Sequence, residues 1–147
     1  MRNVVMLLLV ITAGCASRPE PATLDPHADA CGSCRMIVAD QHFASQIVAP
    51  NEEPRFFDDF GCLQRYLAQH PLPAGAVIFV ADHRTGEWIT AEAAVYSRAD
   101  GLAAPMGSHI VAHRSIPSKQ ADPSAASAVT LDRPTLFLQT SGKDDRP

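Results

Sequence analysis

The chain has 147 residues, of which 46% are hydrophobic, and carries a formal net charge of −4 at pH 7. This length suits one ordinary domain or two very small ones. The mildly acidic balance and the lack of a basic stripe argue against nucleic acid, so we expect no nucleic-acid partner. The same balance leaves a cation open as the ligand.

The first fifteen residues have the pattern of an export signal. Arg2 precedes an apolar run over residues 4–11, and small residues then lead directly to Cys15. The run is shorter than the roughly 20 residues of a membrane-spanning helix and is typical of a secretory signal peptide. Its ending resembles a bacterial lipoprotein signal, in which Cys15 is lipidated and becomes the first mature residue. The alternative is ordinary secretion without modification of Cys15.

Lipidation of Cys15 would determine where the protein is located and where its mature chain begins. We expect a signal peptide over 1–14 and a protein anchored in the lipid bilayer through Cys15. It would face the periplasm, on the outer membrane rather than the inner one. Proline and acidic residues dominate 15–30, which predicts a lipidated flexible tether, and 139–147 is predicted to be a disordered tail.

Between these ends, short apolar runs alternate with turn signals. The pattern predicts strands at 36–39, 43–49, 55–57, 77–80, 87–90, 109–113 and 131–138. It predicts helices at 60–69, at 91–96 and within 118–128, where Pro123 interrupts. Asp58 or Asp59 is expected to cap the first helix, whose buried face would carry Phe60, Leu63 and Leu67. The fold class is therefore predicted to be α+β.

A faint internal echo suggests a duplication. Residues 37–39 and residues 110–112 both read Ile-Val-Ala, and each follows a methionine by a few residues. On this basis Met36 and Met106 would occupy comparable positions before a strand. Two related strand-strand-helix units are expected, divided into 31–74 and 75–138.

The motif with most chemical content is Cys31-Gly32-Ser33-Cys34-Arg35-Met36. It places two thiols and a thioether within six residues. Thiolates and thioethers select Cu(I), whereas zinc takes thiolate and imidazole and uses four such ligands in structural sites. The thioether therefore favours copper, and no second Cys-x-x-Cys is present to make the case for zinc.

Two other interpretations of Cys31 and Cys34 remain open. The pair could form a local disulfide, which an oxidising compartment favours. It could also serve a thiol-disulfide oxidoreductase, although such motifs lie at a helix N-terminus and this one precedes a predicted strand. With Cys15 lipidated, three cysteines remain, so at least one thiol is unpaired or all three are reduced.

Further ligand candidates lie later in the chain. Met106 stands in a loop between Pro105 and Gly107, three residues before His109, where nothing nearby buries it. Cys62 falls in the first turn of a predicted helix, where thiolate is favoured; it could bind metal, pair with a motif cysteine or be a small core residue. The other histidines follow His109 in rank: first His27 and His113, then His42, His70 and His83, which are expected in turns or loops.

Taken together, these motifs resemble the NosL family of copper-binding lipoproteins, accessory to nitrous oxide reductase assembly. The matching segments, in order along the chain, are Cys15, Asp29–Met36, Phe57–Leu63, Trp88–Ile89, Ala94–Tyr96 and Pro105–His109. The resemblance implies two related strand-strand-helix-strand units. It also implies a non-enzymatic chaperone that binds Cu(I) and passes it on through a membrane copper-transfer complex of the same gene cluster. Nitrous oxide reductase would receive that copper directly or indirectly.

Carried over by motif, the resemblance implies copper ligands at Cys34, Met36 and Met106, with His109, Cys31 or Cys62 as further candidates. Members of the family usually have glycine where this chain has Arg35. Glycine adopts positive φ easily and arginine does not, so the departure bears on the local backbone. The cation would also favour thiolate on Cys34.

Overall fold

The computed structural model describes residues 18–133 and Phe137. The predicted signal peptide, the lipidation of Cys15 and the tail over 139–147 lie outside the described residues. Within the described part of the chain, no helix is both long and apolar enough to cross a membrane.

The first half of the fold is a four-stranded antiparallel sheet. Its strands are β1 (Ser45–Val48), β2 (Arg55–Phe57), β3 (Val77–Ala81) and β4 (Trp88–Thr90), in the order β2-β1-β3-β4. A short 3-10 helix at Gln41–Phe43 precedes β1, and α1 (Phe60–Leu67) connects β2 to β3. The strands predicted at 77–80 and 87–90 are confirmed as β3 and β4, which pair directly with Ala81 opposite Trp88.

The second half repeats this topology in a three-stranded sheet. Its elements are β5 (Val95–Arg98), β6 (Ile110–His113), α2 (Ile116–Gln120) and β7 (Val129–Leu131), and the sheet order is β6-β5-β7. In each half the first strand is central, the second and third strands flank it, and a helix joins the flanking pair. The predicted α+β class with two strand-strand-helix-strand units is confirmed. The predicted division at 74/75 falls inside the first sheet, because β3 pairs with β1.

Helix α1 positions much of the site and follows its sequence signals. Asp59 is the N-cap, with extended backbone and a side chain that accepts a hydrogen bond from the backbone N–H of Cys62. Phe60 and Leu63 are buried, and the helix packs against β1, β2 and β6. The Phe60 ring lies 5.1 Å from the Tyr96 ring of β5, so α1 helps to hold the two sheets together.

Three predicted elements are wrong. Residues 36–39 form no strand; Ile37 makes an isolated bridge to Ala30, because the backbone bonds on either side of it close the turn onto residues 29–31. The alanine-rich segment 91–96 is a turn followed by β5, since pairing in the sheet and burial of Tyr96 outweigh helix propensity. The helix predicted within 118–128 begins at Ile116, with Pro117 in its first turn, and ends at Gln120.

Two predicted boundaries also change. The strand predicted at 131–138 overlaps β7 (Val129–Leu131) only at Leu131, and residues 134–136 and 138 lie outside the described residues. The packed part of the chain begins before Cys31, within the predicted tether: the Gln46 side chain bonds the backbone of Ala22, and Leu24 is buried. The echo is also misaligned, because Ile110–Ala112 lies in β6, whose counterpart is β2 and not residues 37–39.

Candidate metal centre

Three cysteines from separate segments meet at the start of α1. The Sγ atoms of Cys31, Cys34 and Cys62 all lie within 4.8 Å of one another. All three are free thiols, so the alternative of a local disulfide between Cys31 and Cys34 is not what the structure contains. Cys31 and Cys62 are completely buried, and Cys34 is partly exposed. The cluster is therefore a pocket of sulfur that opens to solvent through Cys34.

A tight turn brings the two motif cysteines together. The Cys31 N–H donates to Met36 O at 2.7 Å and the Arg35 N–H donates to Cys31 O at 3.0 Å, which closes the loop on itself. The Gly32 N–H donates to Phe56 O at 2.8 Å, which fixes the loop to β2. A Cβ atom on Gly32 would lie 2.8 Å from the Arg55 side chain, so this contact requires glycine.

Arg35 occupies the backbone conformation that its family counterpart suggests. Its φ is +68°, in the left-handed region that glycine reaches without strain and other residues reach at a cost. The chain therefore keeps the turn of the Cys-x-x-Cys loop while carrying a strained arginine, and Met36 follows with 57% of its surface exposed.

Asp59 connects Cys62 to the Met106 loop. Its Oδ1 accepts the Cys62 N–H at 3.0 Å, and its Oδ2 accepts the N–H groups of Met106 and Ser108, both at 3.2 Å. The sequence predicts this carboxylate as a helix cap only. In the fold it also holds the Pro-Met-Gly loop against the first turn of the helix, beside a cluster cysteine.

Met106 lies in the loop that Asp59 holds against α1, and His109 follows in the same loop, directly before β6. Met106 is 37% exposed and is placed by its backbone bond to Asp59. His109 has a φ of +54°, and its Nδ1 donates to Leu102 O at 2.8 Å, which leaves Nε2 as the nitrogen able to bind a metal. His109 is not among the side chains that converge with the three thiols.

Hydrogen bonds place the negative charge of the cluster on Cys31. The Cys62 thiol donates to it, and the N–H groups of Ser33, Cys34 and Asp58 point at its sulfur from 3.4–3.5 Å. Together these donors outweigh burial and lower the pKa of Cys31 to about 4. Cys31 is thus a thiolate at neutral pH, ready to bind a metal without losing a proton.

The other two thiols keep their protons in the metal-free cluster. Donation to Cys31 and then burial raise the pKa of Cys62, and burial raises the pKa of Cys34. The expectations that Arg35 favours thiolate on Cys34, and that the helix terminus favours it on Cys62, are therefore wrong. The negative charge on the neighbouring Cys31 sulfur disfavours a second thiolate beside it.

Two charged side chains flank the cluster, and the sequence predicts neither of them at a metal site. The Arg65 guanidinium donates to Cys62 Sγ at 3.0 Å, so a positive charge lies directly against the sulfur. Burial, followed by the charge of Cys31, raises the pKa of Asp58 to about 6. Arg65 follows Cys62 by three residues, a helical spacing that could have indicated it. Nothing local could have indicated the contact between Asp58 and Cys31.

The other histidines divide into two groups. His27, His42 and His70 are exposed. His83 and His113 meet at a separate place in the fold, together with Asp122. None of the five belongs to the sulfur cluster.

The fold and the cluster together define a small two-unit α+β protein in which three converging thiols could hold a metal ion. A profile of the NosL family matches residues 21–123, which span both units and every cluster cysteine. The chain belongs to the NosL family. Comparisons with curated proteins and with solved structures gave no match. Family membership and the thiol cluster support a copper-related role.

Proposed function

We propose that this protein is a periplasmic, lipid-anchored Cu(I) chaperone that serves the maturation of nitrous oxide reductase. The observation that carries the proposal is the convergence of three thiols, one already a thiolate, in a chain of the NosL family. Soft sulfur ligands of this kind are those that select Cu(I).

The uneven exposure of the ligands suits a protein that releases its cargo. Cys31 and Cys62 form a buried base, whereas Cys34, Met36 and Met106 lie at the surface. An incoming sulfur ligand from a partner can reach copper on the open side and displace the exposed ligands first. The thioethers of Met36 and Met106 bind without deprotonation, so exchange at that side costs no proton transfer.

Arg65 and Asp58 support the same role by limiting the charge of the site. Copper bound by two thiolates carries a net negative charge, and the guanidinium against Cys62 offsets part of it. The raised pKa of Asp58 keeps a second anion from forming readily beside Cys31 in mildly acidic surroundings. With copper bound, the site therefore carries less uncompensated negative charge than its thiolates and flanking aspartates would otherwise give it.

Anaerobic titration of the reduced protein against a chromophoric Cu(I) chelator tests the binding step. We expect Cys34→Ser and Cys62→Ser to weaken Cu(I) binding by roughly tenfold or more, because each removes a sulfur donor. Ser33→Ala is the matched control, since it changes the same turn without removing a donor. Met106→Leu and Met36→Leu then report whether either thioether joins the ligand set. Unchanged affinity in both cysteine variants would contradict the proposal.

Delivery and anchoring need a separate experiment in cells. We expect Cys15→Ser to release the protein from the membrane and lower the copper content of nitrous oxide reductase, while Cu(I) affinity in solution stays unchanged. The membrane copper-transfer complex would lose a chaperone held at its surface. Normal reductase loading by the released protein would show that anchoring is dispensable.

The alternative of a thiol-disulfide oxidoreductase is less well supported by the geometry. The low-pKa thiol, Cys31, is completely buried, and the accessible thiol, Cys34, has a raised pKa. A redox nucleophile needs both properties in one residue. Disulfide reductase activity that is lost in Cys34→Ser would favour this alternative over copper delivery.

A further inference from the structure

A second cluster of metal-binding side chains lies where the two units meet. His83 Nδ1 is 2.6 Å from Asp122 Oδ2, and His113 Nε2 is 2.9 Å from the same oxygen. His83 follows β3 in the first unit, whereas His113 ends β6 and Asp122 follows α2 in the second. The three ligand atoms all lie within 4.8 Å of one another.

The backbone holds these side chains in place independently of their mutual contacts. The His83 N–H donates to Ala112 O at 2.8 Å, next to an isolated parallel bridge between Asp82 and Ala112. The Phe43 ring packs edge-on against the His83 ring, with centroids 4.9 Å apart. The imidazole and carboxylate groups are therefore positioned by the fold before any ligand arrives, which lowers the entropic cost of binding.

The three side chains differ in exposure in the way expected of a metal site that keeps one coordination position open. The side chains of His113 and Asp122 are 0% and 6% exposed, and that of His83 is 11% exposed. Ligands around a tetrahedral ion at about 2.0–2.1 Å lie roughly 3.3 Å apart, so each imidazole needs to move away from the Asp122 oxygen by less than about 1 Å. Three protein ligands and a solvent-facing side leave room for a water as the fourth ligand.

The hydrogen-bonding state of His113 also allows a metal to enter. Its Nδ1 is buried and has no hydrogen-bond partner among the described residues. With Nε2 donating to Asp122, Nδ1 carries a bare lone pair. A metal at Nε2 moves the ring proton to Nδ1 without breaking any bond there, and the His83 proton moves to its other nitrogen at the partly exposed edge.

We propose that His83, His113 and Asp122 form a second metal site, which binds a divalent first-row ion such as Zn²⁺ or Cu²⁺. Two imidazole nitrogens and one carboxylate oxygen are ligands for these borderline ions, and the set lacks the thiolate or thioether that selects Cu(I). The protein would then hold two kinds of metal at two places, a soft monovalent ion on sulfur and a divalent ion on nitrogen and oxygen. The second site stands independently of the proposed chaperone function.

Zn²⁺ binding by the full-length protein tests the second site. After dialysis against Zn²⁺, we expect His83→Gln and Asp122→Asn to retain one equivalent of zinc per chain less than the wild type. His70→Gln is the matched control, because its exposed ring stacks on Tyr66 and lies outside the cluster. Cys34→Ser should keep the equivalent that His83→Gln loses, which separates this site from the thiol cluster. Equal zinc content in the wild type, His83→Gln and Asp122→Asn would overturn the proposal.

A measurement on the wild type covers the case in which a variant fails to fold. We expect a Zn²⁺ titration followed by NMR to shift the imidazole resonances of His83 and His113 together, with saturation at one equivalent. Zinc should also raise the melting temperature in proportion to the logarithm of its concentration. Shifts confined to the exposed His42 and His70 would overturn the proposal. Cu²⁺ in place of Zn²⁺ then decides which divalent ion binds more tightly.

Discussion

Cys31 is a buried cysteine whose surroundings favour the charged form. One thiol and three backbone N–H groups converge on its sulfur, which is why its pKa falls to about 4 although it is completely buried. The pKa of Cys31 in the folded state lies below the ordinary value of 9.0, so the ionised thiol stabilises the fold. This stabilisation is fully present above pH 9. It is lost progressively as pH falls through about 4.

We therefore expect the reduced, metal-free protein to show one thiolate per chain at pH 7. Far-ultraviolet thiolate absorption, followed as a function of pH, measures it. Cys31→Ser should abolish this absorption, and Cys62→Ala should move its onset to higher pH, because the principal donor is gone. Ser33→Ala is the control and should leave the onset in place. Absorption that begins only above pH 8 in the wild type would contradict this account.

Arg35 provides a prediction about stability at a single backbone position. A non-glycine residue at φ +68° is strained by about 1 kcal/mol, which Arg35→Gly should relieve. Since glycine also adds entropy to the unfolded chain, we expect a net change between zero and about 1 kcal/mol of stabilisation. Arg35→Val should destabilise by about 1 kcal/mol, because a β-branched side chain tolerates positive φ least. Urea unfolding measures both variants, and a stabilising Arg35→Val would refute the explanation.

The sequence was informative at the residue scale about donors and less so about their partners. Residue type and spacing identify candidate sulfur ligands, so the sequence predicts Cys31, Cys34 and Cys62 as candidate metal ligands. The sequence predicts Asp59 only as a helix cap. It does not predict the bonds to Met106 and Ser108, because these span nearly fifty residues. Local patterns carry no trace of a contact between segments so far apart.

At the scale of elements, Asp59 links the start of α1 to the Met106 loop. Its two oxygens accept three backbone N–H groups, and an amide offers only one accepting oxygen. Asp59→Asn must therefore place an NH₂ group against either the helix or the loop. We expect a loss of about 1–3 kcal/mol in the free energy of unfolding, and weaker Cu(I) binding if Met106 is a ligand.

Chemical denaturation of Asp59→Asn beside Asp40→Asn measures this effect. Asp40 is an exposed cap of the short 3-10 helix, where its side chain accepts only the His42 N–H. Its variant should lose at most a few tenths of a kcal/mol, since Asn caps nearly as well as Asp. Equal losses in the two variants would show that the Met106 loop does not depend on Asp59.

The elements predicted correctly are those whose local and long-range preferences agree. Helix α1 has a cap and an apolar face at helical spacing, and β1 lies within the predicted run 43–49. The prediction of a helix at 91–96 is wrong because alanine favours helix locally, whereas Tyr96 packs in the second sheet. The Tyr96 hydroxyl donates a hydrogen bond to Ala91 O there. Burial of an aromatic ring outweighs a few tenths of a kcal/mol of helix propensity per residue.

At the scale of the whole molecule, Asp82 joins the two units. It is completely buried, and its oxygens accept hydrogen bonds from the N–H groups of Arg84, Thr85 and Arg114 and from the Ser118 hydroxyl. Burial raises the pKa of Asp82, but these four bonds outweigh it and leave the pKa below its ordinary value of 3.8. The bonds connect the β3–β4 turn to α2.

We expect Asp82→Asn to lower the free energy of unfolding by about 3 kcal/mol at pH 7, because a buried charged acceptor is lost. The stabilisation by Asp82 is present above the ordinary carboxyl pKa and is lost as pH falls through the lower folded value. The gap between wild type and variant should therefore narrow in acid. Urea unfolding at several pH values measures it, with the exposed Asp100→Asn as control. A gap independent of pH would contradict the role of the carboxylate.

The two helix caps occupy equivalent places in the repeat. Asp59 accepts the N–H of Cys62 three residues on, and Ser115 accepts the N–H of Ser118 three residues on. From that shared position the Cys62 sulfur reaches Cys31, and the Ser118 oxygen reaches Asp82. Cys62 thus contacts the Cys-x-x-Cys loop of its own unit, whereas Ser118 contacts the β3–β4 turn of the first unit. Cysteine and serine differ by one atom, so a single exchange of oxygen for sulfur at this position separates a structural hydrogen bond from a candidate metal ligand.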